Sequence, residues 1–487
     1  MAADRARAKR SDSRDKTSPD DQINLLRGWP NPKLLPASLI KDAAQSALSD
    51  PKIWTDGLLY GPDAGYEPLR ESIAKWLTSF YQVRVGEIGA KRICITGGAS
   101  RNLGNMLAVF SDPEYTRKMW IVAPAYFLAF KIFQDAGFGD KMRAVPEDDG
   151  GVDIEFLRRE IEKSENQAKK DGTPEKPRFK HDRRAKVYKH IIYCVPTFAN
   201  PSSRTMSLAR RKDLLSLARE YDALVICDDV YDFLQWPADT SNKESVENLE
   251  HVQMALLPRL VDIDRDFEGG AEREGADGFG NACSNQTFTK VAAPGLRIGW
   301  VEGTEKFAYG VSQAGTTLSG GSESQATATY MHICLTQGEE QSRLQGHVRK
   351  TLRPAYARRY KILMHAIQEH LLPLGFQLPQ STRDIIGGYF TWLSLPEGMN
   401  AETLSRRCKE EVNVIVANGK LFEVPGDDRV KFDGNIRLCW SWEDESKLEE
   451  GVKRIGIVAK RMLAEGLNGE EYVVVEKERE EDMAQYK

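Results

Sequence analysis

Between residues 92 and 303, short apolar runs recur: "RICIT" (92–96), "MWIVAP" (119–124), "HIIYCVP" (190–196), "ALVICDD" (223–229) and "RIGWVEG" (297–303). Stretches between them carry apolar residues at helical spacing. In "SLARRKDLLSLAREY" (207–221), Ser207 is placed to cap and Leu208, Leu214, Leu215, Ala218 and Tyr221 form a stripe. Strands alternating with helices predict an α/β fold, a mainly parallel sheet covered by helices. From about residue 346 the pattern changes. A long helical stretch, "HVRKTLRPAYARRYKILMHAIQEHL", leads to strand-like "GGYFTWLSLP" (387–396) and "NIRLCWSW" (435–442), the signature of a smaller α+β C-terminal domain.

This pattern divides the chain into a disordered tail (1–22), an N-terminal arm that joins the small domain (23–60), a large domain (61–345), the small domain (346–470) and a second tail (471–487). Insertions near 164–190 and 240–281 are charged or glycine-rich and read as surface loops. Lys plus Arg (68) nearly balance Asp plus Glu (72), so no whole-chain field favours nucleic acid or anionic lipid. No apolar stretch is long enough to span a bilayer. Seven cysteines without a CxxC pair suit free thiols in a reducing compartment, and the first twenty residues lack the apolar face of a transit peptide, so the cytoplasm is the expected location. The seven histidines show no metal-ligand spacing, and His365 and His370 read as helix-surface residues.

In sheets of this kind ligands bind beyond the carboxyl ends of the strands. There the chain places Gly98-Ala99-Ser100, Tyr126, Asn200, Asp228 with Tyr231, and Thr287-Phe288-Thr289-Lys290 followed by Arg297. An organic cofactor with a phosphate, a pyridine ring and an aldehyde would use each of them. The glycine turn, Thr287, Thr289 and Arg297 suit the phosphate. Tyr126 suits the ring face, Asp228 the ring nitrogen, and Asn200 and Tyr231 the phenolic oxygen. Lys290 suits the aldehyde as a Schiff-base amine, provided burial and a nearby cation, for which Arg297 is the candidate, lower its pKa.

These motifs resemble the fold type I, class I/II pyridoxal-phosphate aminotransferases, nearest to the aminoadipate, kynurenine and aromatic amino acid group. The resemblance runs from about residue 23 to about 460 and rests on "INLLRGWPNPKLLP" (23–36), "LLYGPDAGYEPLRESIAKWL" (58–77), "TFANPSSRTMSLARRKDLLSLAREYDALVICDDVYDFL" (197–234), "TFTKVAAPGLRIGW" (287–300) and "IRLCWSW" (436–442). It implies a large domain with a mainly parallel sheet of the seven-stranded type, pyridoxal 5'-phosphate bound through Lys290, a homodimer in which Tyr60 reaches the cofactor phosphate of the partner subunit, and Arg437 clamping the substrate α-carboxylate. Gly28 and Trp29 fall in the loop that the family uses on the substrate side. Threonines replace the usual serines before the lysine, Ala99-Ser100 replaces serine-glutamine, and Trp29 replaces a smaller residue.

The implied reaction moves an amino group between an amino acid, aromatic or 2-aminoadipate-like, and a 2-oxo acid such as 2-oxoglutarate. Two other readings stay open at the level of sequence. One is a lyase, decarboxylase or carbon–carbon bond-forming enzyme on the same cofactor, because which bond breaks is a matter of substrate geometry. The other is a non-catalytic ligand sensor, which the retained lysine and the short polar N-terminus disfavour.

Overall fold

The apolar runs become one eight-stranded sheet in the computed structural model, which describes residues 21–83, 86–173, 178–180, 185–238, 253–338, 342–379 and 384–466. Its strands are β1 (Ile93–Thr96), β2 (Lys118–Ala123), β3 (Met142–Asp148), β4 (Gly151–Val152), β5 (His190–Cys194), β6 (Ala223–Asp228), β7 (Ala282–Thr287) and β8 (Gly299–Glu302). They lie in the order β1-β8-β7-β6-β5-β2-β3-β4. The pairs from β7 to β3 are parallel, β8 runs antiparallel to both of its neighbours, and the two-residue β4 turns back on β3. Every residue of β5 and β6 is buried, so these strands read as continuous apolar runs without alternation.

Two helices set the site. α1 (Ala99–Phe110) starts at the rim of the sheet, directly after the Gly97-Gly98 turn that follows β1. α2 (Leu208–Glu220) begins where Ser207 Oγ accepts the Arg210 N–H at 3.2 Å. Its buried face holds Leu214, Leu215, Leu217 and Ala218, whereas Leu208 and Tyr221 are half-buried. Arg211 is also buried, outside the expected stripe. Its guanidinium donates to the carbonyls of Met206, Pro196 and Pro258 and to Thr197 Oγ1, so the acceptors replace water and fasten α2 to the turn that carries Asn200.

The segment 164–190 is not a loop where described. A helix, Ile154–Lys170, runs into it, and Arg178–Lys180 pairs antiparallel with Ala185–Val187. Its charges are used structurally: Lys186 pairs with Asp222 at 2.6 Å and Asp277 at 2.7 Å. In the second segment, residues 253–281 include a short helix, Leu260–Ile263, preceded by fully buried Arg259, which pairs with Asp262 (2.7 Å) and Glu302 (2.8 Å). Residues 239–252, 1–20 and 467–487 lie outside the described residues, and with them nearly all of both expected tails.

The C-terminal part packs α3 (Arg353–His370) and α4 (Glu445–Ala464) with a three-stranded sheet of β9 (Phe390–Ser394), β10 (Ala417–Asn418) and β11 (Asn435–Cys439), in which β11 is central. Ile23–Asn24 pairs with Val414–Ile415, and the Leu25 carbonyl accepts the Cys439 N–H at 2.8 Å. These bonds lay residues 26–29 along β11, next to Arg437.

Candidate active site

Residues following β1, β2, β5, β6 and β7 meet β9, β11 and the 26–30 segment around a cavity of about 320 Å³. Its lining includes Gly28, Trp29, Ala99, Ser100, Tyr126, Asn200, Asp228, Tyr231, Thr287, Thr289, Lys290, Arg297 and Arg437. Of the residues expected from sequence, Gly98 lies just behind this wall. Tyr60 does not line the cavity and is 90% exposed.

Lys290 ends a single 3-10 turn (Phe288–Lys290) after β7, anchored by buried Phe288. Its Nζ donates to the Gly28 carbonyl at 3.0 Å and stands 5.0 Å from the Tyr389 ring centre and 5.5 Å from that of Tyr231. Burial brings its pKa down to about 8, with Cys439 and Asp228 opposing and Arg437 adding to the effect. Arg297 is the cation expected from sequence to do this. It is turned to the Gly97 carbonyl at 3.1 Å, and the cation that Lys290 feels comes from β11. Gly28 has a steric reason to be glycine, since a Cβ there would stand 2.7 Å from Phe390 Cζ.

Asp228 closes β6. Burial pushes its pKa up to about 6, against a hydrogen bond from Tyr193 Oη at 2.8 Å and the charge of Lys290. A carboxylate held in so dry a place is stabilised by a cation, and a protonated pyridine nitrogen would be one. Tyr193 escaped the sequence reading because it sits within the apolar run of β5. Its signal was being the only hydroxyl in "HIIYC", at a register position opposite Ile226, two residues before Asp228.

At the β1–β7 end, the first N–H groups of α1 have no side-chain cap. A Cβ on Gly98, whose φ is 106°, would lie 3.5 Å from both Arg297 Nη2 and Thr287 Oγ1. Thr287 and Thr289 hydroxyls are 2.9 Å apart. Helix N–H groups, two hydroxyls and a guanidinium converge on a glycine-lined space, an arrangement suited to an anion such as a phosphate. Across the cavity Arg437 donates through Nη1 to Asn200 Oδ1 at 2.7 Å and through Nη2 to the Leu26 carbonyl, with its guanidinium carbon 4.0 Å from the Phe390 ring centre. Tyr126, set by burial to a pKa of about 12, stays a neutral ring on the cavity wall. Among the described residues, one group of possible metal donors occurs, Glu369, His370 and Glu449; none of them lines this cavity.

A parallel sheet with a lysine, a carboxylate and an anion cradle at its rim defines a pyridoxal-phosphate enzyme of fold type I. The chain belongs to the aminotransferase class I and II family, whose model matches residues 31–455. It is a pyridoxal-phosphate-dependent aminotransferase acting on amino and 2-oxo acids. A Saccharomyces cerevisiae relative, "Uncharacterized protein YER152C", is 34% identical over 459 residues, covering 90% of this chain and 97% of its own. The 2-aminoadipate transaminase of Thermus thermophilus is 26% identical over 446 residues, covering 91% of each chain. The Pyrococcus horikoshii kynurenine aminotransferase, solved with PMP, kynurenine and its product, superposes with a TM-score of 0.70 at 27% identity, over 92% of both chains.

Proposed function

We propose that the substrates are an amino acid with an aromatic or long acidic side chain and a 2-oxo acid such as 2-oxoglutarate, and that the cavity residues divide the work as follows. The observation that carries this reading is that Lys290, Asp228 and the Arg437–Asn200 pair line one cavity together with apolar and aromatic groups, among them Leu26, Tyr126, Phe127, Val230 and Phe390. Relatives named for 2-aminoadipate and kynurenine support the same substrate range.

Pyridoxal phosphate, when bound, supplies an aldehyde that takes up the amino group and a protonated ring that draws electrons from the substrate α-carbon. The chain does the rest. Lys290 Nζ holds the aldehyde and serves as the base that takes the proton from the substrate α-carbon; a pKa near 8 leaves a usable fraction of free amine at neutral pH. Asp228 holds the ring-nitrogen proton, and Tyr193 holds Asp228. Tyr231 and Asn200 orient the phenolic oxygen, and Tyr126 stacks on the ring. Gly98, Ala99, Ser100, Thr287, Thr289 and Arg297 bind the phosphate. Arg437, pre-set by Asn200, takes the substrate α-carboxylate as a fork, with Gly28 and Trp29 bounding the side-chain space.

The molecule acts as a homodimer in this reading. Leu58, Leu59 and Tyr60 follow one another at 62%, 65% and 90% exposure, an apolar patch that a partner subunit would cover and from which Tyr60 of the partner subunit would reach the phosphate. Seven free, buried cysteines support a reducing, cytoplasmic setting.

The test is the near-visible absorption of the purified protein during addition of single amino acids without a 2-oxo acid. A lysine-dependent band, absent in Lys290→Ala and converted by one amino-acid class, is the expected result. A band that no amino acid changes would sink the substrate assignment, and its persistence in Lys290→Ala would sink the role of Lys290.

A further inference from the structure

Four cations line the cavity, and the reading above uses three: Lys290, Arg297 and Arg437. Arg27 is the fourth. Its neighbours along the chain are tied to the other two groups of the substrate side, since the Leu26 carbonyl accepts from Arg437 and the Gly28 carbonyl accepts from Lys290. Arg27 is therefore carried on a segment whose position is fixed by the proposed α-carboxylate cation and the proposed base together.

The surroundings of its guanidinium attract a cation without neutralising it. The guanidinium carbon lies 5.0 Å from the Trp29 ring centre and 4.8 Å from that of Trp442. The two indoles stand edge to face, 5.8 Å apart at 85°. Faces of tryptophan hold a cation through their quadrupoles and leave its N–H groups free to donate in the ring plane. Among the described residues no carboxylate is within ion-pair distance of Arg27, and its Nε is buried without a hydrogen-bond partner. Glu443, the carboxylate whose field reaches it, is taken by the Asn24 N–H at 2.6 Å. The same cavity is also lined by Leu26, Phe127, Leu128 and Val195, none of which offers a substrate carboxylate a counter-charge.

We propose that Arg27 is the specificity residue that receives the distal carboxylate of a dicarboxylic amino or 2-oxo acid, while Arg437 holds the α-carboxylate. This inference rests on the proposed roles of Lys290 and Arg437. The two indoles keep the guanidinium in place when no dicarboxylate is bound, so the subsite is formed in advance.

The test uses purified holoenzyme and two unreactive probes, glutarate and pentanoate, which differ by one carboxylate. Each is titrated against the visible absorption of the bound cofactor, and in parallel by calorimetry. Wild type binds glutarate more tightly than pentanoate. Arg27→Gln weakens glutarate at least about tenfold and leaves pentanoate within about twofold, with cofactor content and melting temperature retained, while Arg27→Lys gives an intermediate loss because the charge stays and the fork is gone. An equal loss for both probes in Arg27→Gln makes Arg27 a packing residue and overturns the proposal; so does unchanged glutarate binding. The lysine-dependent band is recorded before any probe is added, so a failure of the underlying site assignment shows as a missing band and is distinct from a failure of Arg27.

Discussion

The residues that were readable one by one are those standing at or just past a strand end, where a polar side chain interrupts an apolar run. Asp228, Asn200, Tyr126 and Lys290 are of this kind. What was not readable is what each of them touches: Tyr193 lies inside a strand, Phe390 opens a strand of another sheet with Tyr389 just before it, and Arg27 beside Trp29 looks like any surface arginine until Trp442 is brought next to both. Asp228 lets the cost of such a site be measured. In the cofactor-free fold its carboxyl has the higher pKa, about 6 against an ordinary 3.8, so the folded state holds more protons than the unfolded state between those values. Stability conferred by the protonated form is complete at low pH and is lost as pH rises through this window. Asp228→Asn removes that loss while keeping an acceptor for Tyr193. Its cofactor-free form is expected to be more stable than wild type at pH 8, by about 1–3 kcal/mol, with a smaller gain at pH 5. The same change is expected to lower transamination by about a hundredfold or more, as loss of a buried electrostatic partner does. Denaturant melts at the two pH values check the first part. A destabilised variant at pH 8 would mean that Asp228 is held for its hydrogen bonds and not strained by its charge.

At the scale of elements, hydrophobic period located the central strands and α2 because buried parallel strands and amphipathic helices differ in length and spacing. It failed where charge does structural work. Arg211, outside the expected stripe, is buried because carbonyls and a hydroxyl around it accept its N–H groups, and Lys186 sits buried between two aspartates in a segment whose composition reads as loop. The start of α1 was legible only as a glycine turn, yet it is the element whose geometry is most demanding. Gly98 has φ of 106°, and its open face is where Arg297 and Thr287 converge. Gly98→Ala is expected to cost about 1–3 kcal/mol, because φ of 106° with ψ of 173° is a backbone region open essentially to glycine alone. It should also weaken retention of the cofactor, because the methyl group stands where a phosphate oxygen would approach. Dialysis of the loaded protein against cofactor-free buffer, followed by the visible band, measures this; retention equal to wild type would place the phosphate elsewhere.

For the whole molecule, the question is why a tyrosine in a motif that resembles a cofactor-phosphate contact should be 90% exposed and absent from the cavity of its own chain. If Tyr60 serves the partner subunit, two defective chains can repair each other. A Lys290→Ala chain still offers a normal Tyr60, and a Tyr60→Phe chain still offers a normal Lys290. In a mixed dimer the site built on the intact Lys290 then receives the intact Tyr60, and every other site lacks one or both. Denaturing and refolding the two variants together in equal amounts would make half of the dimers mixed, each with one complete site, so activity should recover to about a quarter of wild type by symmetry alone. Were Tyr60 to act within its own chain, no assortment could produce a complete site, and the mixture would show no more than the average of the two variants. Recovery should also vanish for a double variant, Lys290→Ala with Tyr60→Phe, refolded with Tyr60→Phe, because no chain then carries the missing hydroxyl. That control separates sharing of the site from simple restoration of folding by the second chain.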